Sequence, residues 1–242
     1  MTGVSGTEEA PIRRRSGWLI PLAVFLITAV LSGLVLLYYV GPAPRSFIEE
    51  HPSATAQRNA VQISLGGVAF RIPENFIRFK SARKGGSLTQ VALFAALPNF
   101  RGYDDADADV FTSNAADSPI IEILLHEEQM KLGERDRFAR IYLDYVVSTT
   151  GKPGPFGLTH YEFRDDSGYR GEDLYLGSLG RHVVVMRCDR LSDSDQSPSC
   201  IRDTRLARHA SLSYRFKRSQ LSRWQEIAAG VDKLVRGFMQ PD

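Results

Sequence analysis

The chain has 242 residues, in which 30 Lys and Arg stand against 28 Asp and Glu, so its formal net charge at neutral pH is +2. A general nucleic-acid-binding protein carries a strong excess of positive charge, and this balance argues against that class. Hydrophobic residues make up 43% of the chain, which is enough for one sizeable core. We therefore expect a folded protein with no nucleic-acid partner.

Residues 18–40 form the longest apolar run, and none of them is charged. As a helix, this run would extend about 34 Å. That length crosses a hydrocarbon core of about 30 Å, so the run predicts a single-pass signal anchor with the lipid bilayer as a partner. A cleaved signal peptide is the alternative, but its apolar core is about 7–15 residues long and this run is longer.

Basic residues flank the apolar run on its N-terminal side. Arg13, Arg14 and Arg15 precede it, whereas residues 41–50 hold one arginine and two glutamates. Positive charge marks the cytoplasmic side of a membrane span. The pattern predicts an inner (cytoplasmic) membrane protein with a cytoplasmic N-terminus and a periplasmic C-terminal domain.

Phe25, Ala29 and Gly33 are spaced four residues apart and would share one face of the predicted helix. Small residues at this spacing let two helix backbones approach closely, which predicts a helix–helix contact in the membrane. Small residues are also common in membrane helices that make no such contact, and this alternative stays open.

Changes in composition divide the chain into four predicted segments. Residues 1–17 are expected to be a cytoplasmic tail, and residues 18–40 the anchor. Residues 41–60 contain several prolines and small polar residues, which is typical of a stalk. Residues 61–242 carry the patterns of one extracytoplasmic α+β domain.

Alternating apolar residues predict strands through most of this domain. Two strands flank Gly66 and Gly67, which mark a turn or a bulge. Further strands are predicted at residues 88–97, 120–126, 158–163, 173–179, 182–188 and 210–217.

Two helices are predicted among these strands. Residues 134–147 carry one apolar stripe at helical spacing. Residues 221–239 carry a longer apolar face that includes Trp224, and Ser222 with Gln225 resembles a capping box at its start. We expect an antiparallel sheet with one internal helix and with the C-terminal amphipathic helix packed on the sheet.

Cys188 and Cys200 are the two cysteines of the chain. The segment between them is polar and rich in turn-forming residues, and apolar segments flank it. In an oxidising compartment this arrangement predicts a structural disulfide that closes a loop. Free thiols or a redox-active pair are the alternatives, but no C-x-x-C motif is present.

Residues 160–173 contain the densest cluster of charge, and paired carboxylates with a histidine are suited to acid/base chemistry. A salt-bridged hairpin turn has the same appearance in sequence. The candidate catalytic residues are His160, Glu162, Asp165, Asp166, Glu172 and Asp173.

Several established short motifs are incomplete in this sequence, because a required residue is missing at a defined position. His126 and Glu127 would begin a zinc helix, but Met130 stands where the second histidine is needed. Asp105, Asp107 and Asp109 resemble the start of a calcium loop, but the required glycine is absent. No phosphate loop, nucleophile elbow or dinucleotide fingerprint is present. We predict no metal and no cofactor.

Charge is uneven along the domain: residues 101–136 hold ten acids and three bases, whereas residues 201–237 hold nine bases and three acids. The first interpretation is that these two regions face each other or water in the folded domain. The second is that they form a bipolar surface that binds a charged partner.

The sequence leads to two functional hypotheses. The first is a bitopic envelope protein that acts by protein–protein interaction, as an accessory subunit or assembly factor, with another membrane or envelope protein as partner. The absence of a catalytic motif favours this non-enzymatic role. The alternative is a membrane-tethered periplasmic hydrolase or ligand-binding domain that uses the charge cluster.

Overall fold

The computed structural model describes residues 17–39, 50–127, 132–191 and 197–240. The chain divides into two compact units, Met1–Glu50 and His51–Asp242.

Helix α1 of the first unit spans Leu19–Tyr39 and has 21 residues. Its large apolar side chains between Ile20 and Val35 are exposed. Among the described residues, no helix is long and apolar enough to count as a membrane span. A helix is therefore present where one was predicted, but its transmembrane character is not supported by the structure.

The second unit contains eleven strands and three helices within the described residues. The strands are β1 (Ala60–Leu65), β2 (Val68–Pro73), β3 (Gly86–Ser87), β4 (Gln90–Ala96), β5 (Ile120–Glu127), β6 (Lys152–Pro153), β7 (Thr159–Glu162), β8 (Glu172–Leu179), β9 (His182–Asp189), β10 (Ser199–Arg205) and β11 (Ala210–Lys217). The helices are α2 (Ala108–Thr112), α3 (Glu134–Arg140) and α4 (Trp224–Phe238).

A large antiparallel sheet dominates this unit, as predicted. Its eight strands follow the order β4-β5-β11-β10-β9-β8-β7-β6. A smaller sheet has the order β2-β1-β3, and its β1–β2 hairpin turns at Gly66 and Gly67, which both have positive φ.

The predicted packing of the C-terminal helix on the sheet is confirmed. Trp224, Ile227, Val231 and Val235 of α4 are buried in the main core, together with inward-facing residues of the sheet such as Leu212. A second, smaller core on the α3 side contains Tyr142, Val146, Phe163, Leu174 and Val185. Strands β8 and β9 contribute to both cores, so each of these strands is buried on two faces.

The internal helix is shorter than predicted. Helix α3 ends at Arg140, because Ile141 leaves helical geometry with φ −121° and ψ −64°. The chain then extends alongside β7, where the Val147 amide donates to Glu162 O at 2.8 Å. Val146 likewise pairs with Phe163. β-Branched valines favour such extended pairing, which here outweighs the helical spacing of the apolar residues before them.

The predicted capping box does not form. Residues 218–223 make a tight 3-10 segment, and α4 begins at Trp224 with Arg223 at its cap position. Arg223 pairs with Glu226 at 2.7 Å, whereas no side chain caps the helix.

The large sheet is split between β9 and β10. These strands pair at only two positions, Cys188 with Cys200 and Arg187 with Ile201. Beyond Arg187 the strands diverge, and the side chain of Glu134 enters the gap to accept from the Val185 amide at 3.1 Å. The start of α3 therefore takes the place of strand pairing here.

Candidate functional site

The predicted charge cluster converges on Asp173, a mostly buried residue of β8. Its Oδ1 atom lies 3.2 Å from His160 Nε2 and 3.3 Å from Arg190 Nε. Its Oδ2 atom lies 3.1 Å from Arg218 Nη2. The histidine contact has the distance of an ion pair without hydrogen-bond alignment, since Nε2 has no aligned partner among the described residues. Both carboxylate oxygens of Asp173 are thus held by basic side chains.

The two arginines connect Asp173 to its surroundings. Arg190 donates to Phe163 O at 2.6 Å and to Asp165 Oδ1 at 3.2 Å. Arg218 donates to the Tyr175 hydroxyl at 2.8 Å and also to Asp189 O. This arrangement ties together the ends of β7, β8 and β9.

The six predicted residues do not form one site. Glu162 is half exposed and reaches Arg190 only at 3.9 Å. Asp166 pairs with Arg164 at 3.2 Å on the exposed turn. Glu172 pairs at 2.7 Å with a different arginine, Arg187, because neighbouring residues of β8 point to opposite faces of the sheet.

The cluster is organised as an ion-pair network. A general acid or base needs a free position within hydrogen-bond reach of its substrate, and Asp173 has both oxygens engaged. Burial raises the pKa of the neighbouring Tyr175, with Arg218 opposing this and Asp173 adding to it. The geometry therefore favours strand anchoring over proton transfer.

The predicted Cys188–Cys200 disulfide is confirmed, and both cysteines are fully buried. It joins β9 to β10 at one of their two paired positions, directly beside Asp173, which faces Cys188 across β8 and β9. The Ser199 amide donates to Asp189 Oδ2 at 2.8 Å and closes the same loop. The disulfide thus holds the two halves of the split sheet.

A second buried ion pair lies on the other side of this junction. Arg202 donates to Glu134 through Nε at 2.8 Å and Nη2 at 2.7 Å, and the two side chains are only 9% and 10% exposed. Burial lowers the pKa of Arg202, but the hydrogen bonds and charge interactions with Glu134 and Tyr214 together outweigh burial and raise the pKa above its ordinary value. Thr204 donates to the same carboxylate at 2.8 Å. The pair fixes α3 to β10.

An apolar groove of about 620 Å³ runs along the outer side of α4. This apolar groove is lined chiefly by Phe100, Gly230, Leu234, Gly237 and Phe238. Phe100 has a positive φ of 53°, which is uncommon for a bulky residue. Its ring lies so close to Gly230 that an added Cβ there would be 2.0 Å from Phe100 Cζ. The glycine lets the phenylalanine form the wall of the groove.

A basic groove of about 500 Å³ lies along the same helix, where β9 and β10 diverge. Its basic lining residues are His182, Arg202, Arg205, Lys233 and Arg236, and its acidic lining residues are Glu134 and Asp232. Glu134 is bound by Arg202, and Asp232 pairs with Arg236 at 2.9 Å. Ala229 and Lys233 line both this groove and the apolar groove, so the two adjoin.

Sequence reasoning missed both grooves. Phe100 and Gly230 are far apart in sequence, as are Arg205 and Lys233, and only the fold brings each pair together. One signal was available: an interior glycine costs a helix about 1 kcal/mol relative to alanine. Helix α4 contains Gly230 and Gly237, and Gly230 is where another residue, Phe100, approaches the helix closely, whereas an added Cβ at Gly237 would meet nothing within 4 Å.

The roles predicted for the residues in and before the anchor are not tested by the structure. Phe25 is 69% exposed, and an added Cβ at Gly33 would meet no atom of the described chain within 4 Å. The helix–helix contact through Phe25, Ala29 and Gly33 is therefore not tested. Arg13, Arg14 and Arg15 lie outside the described residues.

No protein-family model and no curated protein matches the chain. Two solved structures share its fold. The immunity protein Smlt3025 of the Stenotrophomonas maltophilia type IV secretion system has a TM-score of 0.55 and 15% identity, covering 76% of this chain and 94% of its own. The iron-regulated outer membrane lipoprotein FrpD of Neisseria meningitidis has a TM-score of 0.50 and 15% identity, covering 80% of this chain and 97% of its own. At this identity, the similarity concerns the fold alone.

Proposed function

We propose that this chain is a single-pass envelope protein whose domain, residues 51–242, binds another protein. In this account α1 anchors the chain in the inner membrane, with the N-terminus in the cytoplasm and the domain in the periplasm. The uncharged run at residues 18–40 and the arginines before it support the anchor and its orientation. The disulfide fits an oxidising compartment.

The observation that carries the binding role is the outer surface of α4. Apolar grooves that remain open on a folded domain are typical of interaction sites. The apolar groove is walled by Phe100, a residue with unusual backbone geometry, and such geometry persists where the surrounding structure imposes it. The fold also supports a protein-binding role in the envelope, because it occurs in a protein described as an immunity protein and in an outer membrane lipoprotein.

The alternative, a tethered hydrolase or ligand-binding domain acting through residues 160–173, has less support. Its central carboxylate, Asp173, is held by Arg190, Arg218 and His160. Its other carboxylates are divided between two faces of the sheet and an exposed turn. We therefore do not assign a reaction to this cluster.

Quantitative co-purification tests the proposal. The full chain, taken from membranes in mild detergent, should retain a stoichiometric protein partner. Ala229→Trp places a bulky, uncharged side chain on the exposed outer surface of α4, between the two grooves, and should release that partner. Ala69→Trp, at an exposed alanine of β2 in the smaller sheet, is the matched control and should retain it. A chain that retains no protein, or equal retention by both variants, would contradict the proposed role of this surface.

A further inference from the structure

We propose that the basic groove binds a carboxylate-bearing segment of the partner protein, with an adjacent apolar side chain of that segment lying in the apolar groove. This inference rests on the proposed function and names the chemistry of the partner. It arises from the charge of the groove, its position in the split sheet and its continuity with the apolar groove.

The groove has cations that its own carboxylates do not balance. Its lining holds the four cations Arg202, Arg205, Lys233 and Arg236, against the carboxylates of Glu134 and Asp232. Each carboxylate is already paired, Glu134 with Arg202 and Asp232 with Arg236. Arg205 and Lys233 are exposed and have no ion-pair partner in the part of the chain that the structure describes. Two positive charges are therefore available to an incoming ligand.

The floor of the groove is fixed in place. Glu134 accepts from Arg202, Thr204 and the Val185 amide, so the gap between β9 and β10 is filled at its inner end. The disulfide holds the same strands at their junction. A rigid site loses less conformational entropy on binding than a mobile one. The groove thus presents Arg205 and Lys233 over a preorganised base.

Continuity with the apolar groove favours a protein segment as the ligand. Lys233 and Ala229 border both grooves, so one ligand can reach the cations and the apolar wall together. A peptide can place a carboxylate and an apolar side chain on neighbouring residues. A phosphate or a lipid headgroup would use only the cations and would leave the wall formed by Phe100 and Leu234 uncovered.

Fluorescence anisotropy with labelled peptides tests the inference. One short peptide alternates Glu with Phe and Leu, and its counterpart has Lys in place of every Glu. The full chain in neutral detergent should bind the Glu peptide saturably and at least about tenfold more tightly than the Lys peptide. Raising the salt concentration should weaken this binding, because exposed charges are screened.

Paired variants locate the site. Arg205→Glu with Lys233→Glu should weaken Glu-peptide binding about tenfold or more, because both unbalanced cations become repulsive. Arg71→Glu with Lys80→Glu makes the same change in net charge elsewhere on the domain and should leave the affinity within about twofold. Both cations of the control pair are exposed and line neither groove.

The inference would be overturned by a lack of saturable binding of the Glu peptide, by equal binding of the Lys peptide, or by equal loss of affinity in both double variants. Competition gives a fourth test, in which the competitors are glycerol phosphate and an unlabelled Glu peptide that lacks Phe. If glycerol phosphate displaces the labelled Glu peptide and an excess of the unlabelled peptide does not, the groove binds lipid headgroups, and the inference is wrong. Failure here is separate from failure of the proposed function. If the partner still co-purifies with the Arg205→Glu, Lys233→Glu variant but is lost from Ala229→Trp, the proposed protein-binding role is retained and the carboxylate inference is wrong.

Discussion

Gly177 and Trp224 illustrate how single residues determine the packing of α4. Gly177 lies inside β8. An added Cβ at Gly177 would lie 2.5 Å from Trp224 Cη2 and 2.8 Å from Leu158 Cδ2. The indole of Trp224 is buried, and its Nε1 donates to Phe156 O at 3.1 Å. The missing side chain at position 177 provides the space that the tryptophan occupies.

Gly177→Ala should therefore destabilise the domain by about 1–3 kcal/mol, the usual cost of overpacking a core. Urea unfolding of residues 51–242, followed through Trp224 fluorescence, measures the change. Gly168→Ala is the control, since an added Cβ there meets nothing within 4 Å. It should change the free energy of unfolding by no more than about 0.5 kcal/mol. Equal effects of the two substitutions would mean that Trp224 does not lie against β8.

Tyr214 gives a pH-dependent prediction. Burial raises the pKa of its hydroxyl, and the adjacent Arg202 only partly opposes this. The folded state then keeps its proton when the unfolded chain loses it, so the stabilisation is complete below the unfolded pKa of about 10 and is lost as pH rises above it. Stability should fall more steeply above this pH in the parent than in Tyr214→Phe. Parallel curves for the two proteins would show that Tyr214 ionises normally in the folded state.

At the scale of elements, the ion pair between α3 and β10 is the critical connection. Glu134→Ala leaves Arg202 as an uncompensated buried charge and removes the acceptor of the Val185 amide. It should destabilise the domain by about 3–5 kcal/mol, measured by the same urea unfolding.

Glu226→Ala breaks an exposed pair with Arg223 at 2.7 Å and provides the matched control. Exposed pairs contribute about 0–1 kcal/mol, so this variant should unfold close to the parent. A small effect for Glu134→Ala as well would mean that Arg202 reaches water, and that the floor of the basic groove is not fixed.

Strands with regular alternation were predictable from sequence, because one buried face leaves a period of two. The strand β5 is an example: Ile121, Ile123 and Leu125 are buried as predicted. The strand β10 was missed because its inward-facing residues include Arg202 and Thr204, which are polar and are satisfied by Glu134 from a distant helix. A sequence window contains no sign of that partner.

The candidate sites also differ in how far the sequence alone could predict them. The disulfide was predictable because the polar loop and the two cysteines are local features. The charge cluster at residues 160–173 is a local feature of the sequence, but its arginine partners Arg190 and Arg218 lie outside those residues, so its organisation as an ion-pair network could not be predicted. The grooves depend on residues brought together by the sheet order, and no local pattern specifies them.

At the scale of the whole molecule, the fold brings parts of the acidic and basic regions of the sequence next to each other. The acidic and basic regions contribute adjacent strands β5 and β11, where Glu122 faces Arg215. The Glu134–Arg202 pair also joins these regions. Facing surfaces therefore explain part of the asymmetry, and Arg205 and Lys233 are among the cations of the basic region that have no ion-pair partner in the described chain.

The topology proposal predicts that residue 242 lies outside the cytoplasm. Alkaline phosphatase fused after Asp242 should be active, because that enzyme requires an oxidising compartment to form its disulfides. A reporter that folds only in the cytoplasm should be inactive at the same point. The reverse pattern would contradict both the anchor and its orientation.

Site-specific photo-crosslinking in intact cells tests the central claim most directly. A photoreactive residue is placed in the full chain at Ala229, Lys233 or Gly237 on the outer surface of α4, or at the control positions Arg71 and Lys80. The account predicts that all three α4 positions capture one and the same protein and that the control positions do not. Capture of lipid alone, or equal capture of that protein at the control positions, would contradict the claim that this surface binds a protein partner.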